Sequence, residues 1–197
     1  MATNGCSLVI FLGSCKNAFY FDVGETDVDQ DLFTLSEHQH SKHKLQSKDN
    51  KFLLLNADGQ FEVRHLSISE QRNPDCKFTI HIYTDSALEG RKGRAVMLYT
   101  SKDGKKMVAC CSEKNEIYPE AMDPPHKIEE TAHKALFYLT KLSASNQYMF
   151  ESSVYPCKFL GFEPDKDNPS LKKLVLLHKG HDEVDDACEV TVSDCNA

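Results

Sequence analysis

Tryptophan is absent from this 197-residue chain, and no apolar run is long enough to cross a bilayer. The longest near the start, Leu8-Val9-Ile10-Phe11-Leu12-Gly13, falls far short of the roughly 20 residues a helical span needs. It imitates the core of a secretion signal, and Leu12-Gly13-Ser14-Cys15 resembles a processing site. No Lys or Arg precedes it, however, so the positive leading region of a signal peptide is missing. The run is read as a strand. A basic surplus is also lacking: 23 Lys and Arg stand against 30 Asp and Glu, a net charge of -7. Neither nucleic acid nor an anionic membrane is therefore expected as the main partner. Eight cysteines are present (Cys6, Cys15, Cys76, Cys110, Cys111, Cys157, Cys188 and Cys195) but no C-x-x-C, which argues against a zinc ribbon or a thioredoxin-type pair. With no signal peptide, the first home of the chain is expected to be the reducing cytosol, where thiols stay unbridged. Adjacent Cys110 and Cys111 are expected on opposite faces of a strand. No G-x-S-x-G, P-loop or H-E-x-x-H occurs, so no catalytic centre and no cofactor are expected. His38, His40 and His43 lie close together without a Cys or carboxylate at zinc spacing, and are read as part of a solvated polar segment rather than a metal site.

Forty per cent of the residues are hydrophobic, enough for one domain with a real core plus a modest appendage. Residues 1–31 carry one Lys and five acids (Asp22, Glu25, Asp27, Asp29, Asp31), a charge of -4, leaving -3 for residues 32–197. Within this leader, residues 7–12 and 18–21 read as strands, and residues 22–31 as an acidic, flexible segment. Beyond it come short strand-like pieces at 44–47, 51–56, 61–66, 77–84, 95–101, 107–111, 116–118, 135–141, 148–151, 158–162, 171–177 and 187–192. Ala57-Asp58-Gly59-Gln60 and Lys102-Asp103-Gly104-Lys105 are strong hairpin signals, because Gly accepts the positive φ such turns demand. A turn or two of helix is expected over 128–136, after Pro125. About twelve short strands imply a sandwich or a closed barrel. Three hairpin-like stretches begin near Lys51, Ala95 and Lys158, at irregular spacing, and suggest a threefold repeat.

Tyr148 to Glu163, reading YMFESSVYPCKFLGFE, resembles a signature of the interleukin-1 cytokine family. So does Met122-Asp123-Pro124-Pro125 followed by Ile128, Thr131 and Leu136-Phe137-Tyr138, which is similar to a Met-Asn-Pro-Pro loop leading into an aromatic strand. The resemblance implies an all-β chain: a β-trefoil of about twelve strands over residues 32–197, with a propeptide over residues 1–31. It implies a pro-inflammatory cytokine, not an enzyme, made as a cytosolic precursor and released without a signal peptide. Caspases require Asp before the cut bond, and Val28-Asp29-Gln30-Asp31 is similar to the family's cleavage tetrapeptide. An inflammatory caspase is thus expected to cut between Asp31 and Leu32, with Asp29 as the fallback. The freed monomer would bind a two-chain cell-surface receptor, and a soluble decoy binding protein is a further partner the family suggests. Tyr83-Thr84-Asp85-Ser86 resembles a Tyr-Lys-Asp-Ser element. Arg91-Lys92-Gly93-Arg94-Ala95-Val96 resembles an Arg-Gly-Met-Ala-Val element, with Arg94 where a Met is expected. Candidate receptor contacts on this basis are Lys44, Asp49, Tyr83, Asp85, Lys92, Arg94 and Glu120. The alternatives are another member of the same family, or a trefoil lectin or protease inhibitor. Absent Trp speaks against the lectin.

Overall fold

The computed structural model describes residues 8–15, 18–24, 33–35, 42–85, 93–130, 132–142, 146–179 and 186–195. The chain divides into two compact units, Met1–Gln30 and Asp31–Ala197.

In the first unit, β1 (Leu8–Cys15) and β2 (Ala18–Gly24) form an antiparallel pair whose register runs from Leu8↔Gly24 to Cys15↔Ala18. β2 extends through Asp22-Val23-Gly24, further than the apolar pattern predicts. A backbone ladder needs only N–H and C=O groups, so it continues across the acidic Asp22 to Gly24.

The second unit contains β3 (Phe33–Leu35), β4 (Lys42–Gln46), β5 (Phe52–Leu55), β6 (Phe61–Arg64) and β7 (Phe78–Asp85). Next come β8 (Arg94–Lys102), β9 (Lys105–Cys111), β10 (Ile117–Ala121), β11 (Lys127–Ile128) and β12 (Phe137–Leu142). The last are β13 (Gln147–Ser152), β14 (Lys158–Pro164), β15 (Lys172–His178) and β16 (Val190–Asp194). Antiparallel pairing runs from β4 to β7, β8, β12, β13 and β16, and from β16 back to β4. This ring of six strands is a barrel with no free edge. Three hairpins, β5–β6, β9–β10 and β14–β15, form a cap. They are tied together by the Val63↔Lys172 pairing and a Glu116↔Val175 bridge. Six barrel strands and six cap strands make the expected β-trefoil. Two strands exceed the expected number: β3 pairs with β7, and β11 with β3. At three and two residues, both are too short for an alternating pattern to show.

The threefold repeat is real, but its phase differs from the sequence reading. Leu45-Gln46-Ser47, Leu98-Tyr99-Thr100 and Phe150-Glu151-Ser152 recur at steps of 53 and 52 residues, and the first and last member of each is buried. Each triplet leads into a barrel-to-cap turn that ends on a positive-φ residue followed by Lys: Asn50-Lys51, Gly104-Lys105 and Cys157-Lys158. The hairpin at Ala95 is out of phase, because the conspicuous Asp103-Gly104 turn joins barrel to cap. The equivalent cap turn, Ser112 to Glu116, lacks Gly and uses Asn115 at φ 63° instead.

The barrel is filled by Leu45, Leu53, Val63, Phe78, Val96, Leu98, Phe137, Phe150, Leu160 and Val190, among others. A second cluster of Tyr83, Met97, Tyr99, Val108 and Cys110 packs with Ile128, Ala135 and Leu136 from the β10–β12 connection. Cys111 belongs to the first cluster and Cys110 to the second, as alternation along β9 requires. Burial pushes the Cys110 thiol up to about 12 and Cys111 to about 11, which leaves both unreactive at neutral pH.

The helix expected over 128–136 is absent among the described residues. The connection forms β11 and then a strap. Its backbone is satisfied sideways: Cys111 N–H donates to the Lys134 carbonyl at 2.8 Å, and Ser153 N–H to the Leu136 carbonyl at 3.0 Å. These bonds, with Ile128, Ala135 and Leu136 buried in the second cluster, tie the segment to its neighbours in place of a local helix.

Candidate functional site

At one end of the barrel each of the six strands contributes to the lining of a cavity of about 190 Å³. His43 comes from β4, Ile80 and Ile82 from β7, Arg94 from β8, Leu139 from β12, Tyr148 from β13 and Val192 from β16. The walls are mostly apolar. His43 Nδ1 lies 2.8 Å from Asp194 Oδ1 on the paired strand β16. Lys141 Nζ stands 6.0 Å from the centre of the Tyr148 ring, within cation–π reach. Arg94 is exposed and makes no ion pair among the described residues. It opens β8 directly after Gly93, whose φ is +112°. A Cβ on Gly93 would meet the Leu139 carbonyl oxygen at 2.8 Å, so only Gly lets β8 approach β12 here. An apolar cup with a guanidinium on its rim, unpaired among the described residues, suits a partner with an apolar anchor beside a carboxylate.

Asp49 sits elsewhere, on the turn after β4. Lys172 Nζ donates to its Oδ1 at 2.7 Å and Ser47 Oγ at 2.6 Å. Burial raises the Asp49 pKa, but the bonds from Lys172 and Ser47 outweigh it and hold the carboxyl at about 2, against an ordinary 3.8. A depressed folded-state pKa means that the stabilisation is present above pH 3.8 and is lost as pH falls through about 2. Asp49→Asn is expected to flatten the loss of stability across this window, read as urea midpoints at pH 5, 3 and 2. The side chain is 45% exposed, so solvent screening keeps the effect small.

Lys44 lies half-buried on β4, with Nζ donating to Gln71 Oε1 at 3.3 Å. Asp85 ends β7 opposite Phe33. Glu120, on β10, receives two hydrogen bonds from Lys134 Nζ at 2.6 and 2.8 Å. Lys134 thereby draws the Glu120 carboxyl below its usual range. Asp31, Leu32 and Lys92 lie outside the described residues. Tyr83 is only 3% exposed and offers no surface to a partner. Its hydroxyl donates to the Pro125 carbonyl at 2.9 Å and lies 3.4 Å from Met97 Sδ, and burial raises its pKa. Its work is to hold the strap over the second cluster, where Glu120 and Lys134 also meet. Tyr83→Phe should cost about 1 kcal/mol, the net worth of one hydrogen bond, measured by chemical denaturation.

The seven candidates thus do not form one patch. Arg94 belongs to the cavity, Tyr83 and Glu120 to the strap, and Asp49 to a cap turn. Sequence reasoning singles out only Arg94 of this lining and misses His43, Ile80, Ile82, Leu139, Tyr148 and Val192. All of these but His43 fall within strands read from the sequence, but nothing in the local sequence shows that their strands meet at one opening.

A family model described as Interleukin-1 / 18 matches residues 68–188, more than half of the chain. The chain belongs to the interleukin-1/18 family. A Fascin domain model also matches, over residues 12–115, but stops short of the segments from Met122 to Phe162. Curated relatives named Interleukin-18 include that of Felis catus, 28% identical over 166 residues, covering 83% of this chain and 82% of the relative. That of Bos taurus is 26% identical over 194 residues, covering 97% and 95%. That of Mus musculus is 34% identical over 107 residues, and the chain spans 51% of its length. Chicken interleukin-1 beta superposes with a TM-score of 0.59 at 18% identity, covering 82% of this chain and 99% of that one. A mosquitocidal holotoxin superposes with a TM-score of 0.55 at 16% identity over 18% of its own length. At these identities the superpositions establish the fold alone, and family membership rests on the sequence match. The chain is a β-trefoil cytokine of this family and not an enzyme.

Proposed function

We propose that this interleukin-1/18 family member is the precursor of an interleukin-18-type pro-inflammatory cytokine. An inflammatory caspase cuts it after Asp31, and the freed residues 32–197 bind a two-chain cell-surface receptor as a monomer. The observation that carries this reading is the alignment with interleukin-18 across nearly the whole chain, 97% of it for the Bos taurus relative. It is supported by the position of Val28-Asp29-Gln30-Asp31 at the junction between the two compact units. The barrel opening with Arg94 is the proposed centre of receptor contact. Lys44, Asp49, Asp85, Lys92 and Glu120 are proposed as further receptor contacts outside this opening, and Tyr83 serves to hold the strap. The precursor is held in the cytosol and leaves by a route that needs no signal peptide. A soluble decoy binding protein would compete for the same opening.

The test is to incubate the full chain with an inflammatory caspase, sequence the new terminus, and compare cut and uncut protein on receptor-bearing cells. The expected result is a terminus at Leu32, loss of cutting in Asp31→Ala, and signalling only from cut protein. A terminus elsewhere, no cut, or equal signalling by both forms overturns the proposal.

A further inference from the structure

The strap is closed by a histidine. His133 is half-buried, and its Nδ1 accepts the Ala135 N–H at 3.2 Å. A ring nitrogen that accepts carries no proton, so the neutral ring holds its proton on Nε2. The His133 backbone is clasped by Ser153, just past β13. Its N–H donates to Ser153 Oγ at 3.0 Å, and the Ser153 hydroxyl donates to its carbonyl at 2.9 Å. Leu136 N–H donates to the same carbonyl at 2.9 Å. Ala135 and Leu136 are fully buried in the second cluster. The Ala135 N–H therefore has no water to turn to if the ring releases it.

The charges around the ring come from two elements. Glu130 and Lys134 are its neighbours on the strap, and Glu120 stands near it on β10. The contacts that β9 and Ser153 make with this turn are neutral: the Cys111 N–H on the Lys134 carbonyl, and the Ser153 hydroxyl. Burial lowers the His133 pKa below the ordinary 6.5, and Lys134 adds to this against the opposing pull of Glu130 and Glu120.

We propose that His133 is an acid-sensitive latch on the strap: neutral, it fastens Ala135 and Leu136 into the second cluster; protonated, it lets them go. A proton on Nδ1 sets two donors against each other, so the bond from Ala135 breaks. The charged ring is then drawn out towards Glu120 and Glu130. Because the folded-state pKa lies below the unfolded 6.5, the latch is fastened above pH 6.5 and gives way as pH falls below it. Lys134, next in the chain, holds Glu120 through its ammonium, so opening the strap also disturbs the setting of Glu120. An effect on receptor binding rests on the reading of Glu120 given above; the latch itself does not.

Hydrogen exchange of the full chain is followed at pH 7.4 and 5.5 and corrected for the intrinsic pH dependence of exchange. Protection in the peptide spanning residues 132–136 is expected to fall about fivefold at the lower pH, the worth of one hydrogen bond, while β5 and β8 keep theirs. His133→Asn supplies an oxygen that accepts from the N–H two residues on and takes up no proton in this range, so it should stay protected at both pH values. His133→Ala removes the acceptor and should show the lower protection at both. Unchanged protection in the parent chain overturns the proposal, as does a fall that persists in His133→Asn. Binding of caspase-cut protein to each receptor chain is measured at the same two pH values. A strap that opens with no change in binding supports the latch and counts against Glu120 as a receptor contact.

Discussion

Phe150→Ala is expected to destabilise the trefoil by about 3–5 kcal/mol, the range for deleting a fully buried aromatic side chain. Phe150 is fully buried on β13, cross-strand from Leu139 of β12. It is the third member of the repeated triplets, and the largest of the three side chains that the repeat places in the barrel. Leu45 and Leu98 fill the equivalent positions, so neither can expand into the space a lost ring would leave. A domain of this size has a total stability of roughly 5–15 kcal/mol, so the variant stands near the edge of folding. The melting temperature should fall by roughly 10 °C or more. Phe150→Leu fits the pattern of the other two lobes, removes less volume, and should cost clearly less than Phe150→Ala. Thermal unfolding of both variants beside the parent chain makes the comparison. An equal loss in the two would mean that the pocket is not shaped by the ring, and that the threefold equivalence of these positions has no energetic content.

The parts of this structure legible in the sequence are those fixed by neighbouring residues. Asp103 and Gly104 both adopt positive φ, 51° and 76°, the requirement of a two-residue hairpin turn, and Asp-Gly announces it. The alternation in residues 77–84 announces β7 for the same reason. Barrel closure is different in kind. β4 and β16 pair from near opposite ends of the second unit, and no local signal records a partner so distant. The same holds for the cavity, whose lining comes from six strands. The strap shows the converse failure: Glu129 and Glu130 after a Pro-rich segment look like the first turn of a helix, and lateral hydrogen bonds from Cys111 and Ser153 override that preference. The triplets at Leu45, Leu98 and Phe150 were legible in principle. They were obscured by Lys102-Asp103-Gly104-Lys105, a stronger signal for a turn at a different stage of the repeat.

Arg94→Glu is expected to weaken receptor-chain binding at least 30-fold, the loss of about 2 kcal/mol that marks an interface hot spot. The interleukin-1/18 resemblance puts a Met at this place, and an Arg on the rim of an apolar cavity changes what the opening can accept. The guanidinium needs a carboxylate or a planar surface from the partner, so charge reversal sets like charges against each other, which costs more than losing the attraction. Arg94→Met separates the two contributions. It restores an apolar rim and removes the charge, so it should lower the association rate and its dependence on salt more than it raises the dissociation rate. The side chain is exposed and unpaired among the described residues, and neither change should move the melting temperature appreciably. Binding kinetics of caspase-cut protein on each receptor chain, at two salt concentrations, provide the reading. If both variants bind both chains as the parent does, receptor contact does not centre on the barrel opening, and the groups around Asp49 or Glu120 become the surfaces to alter next.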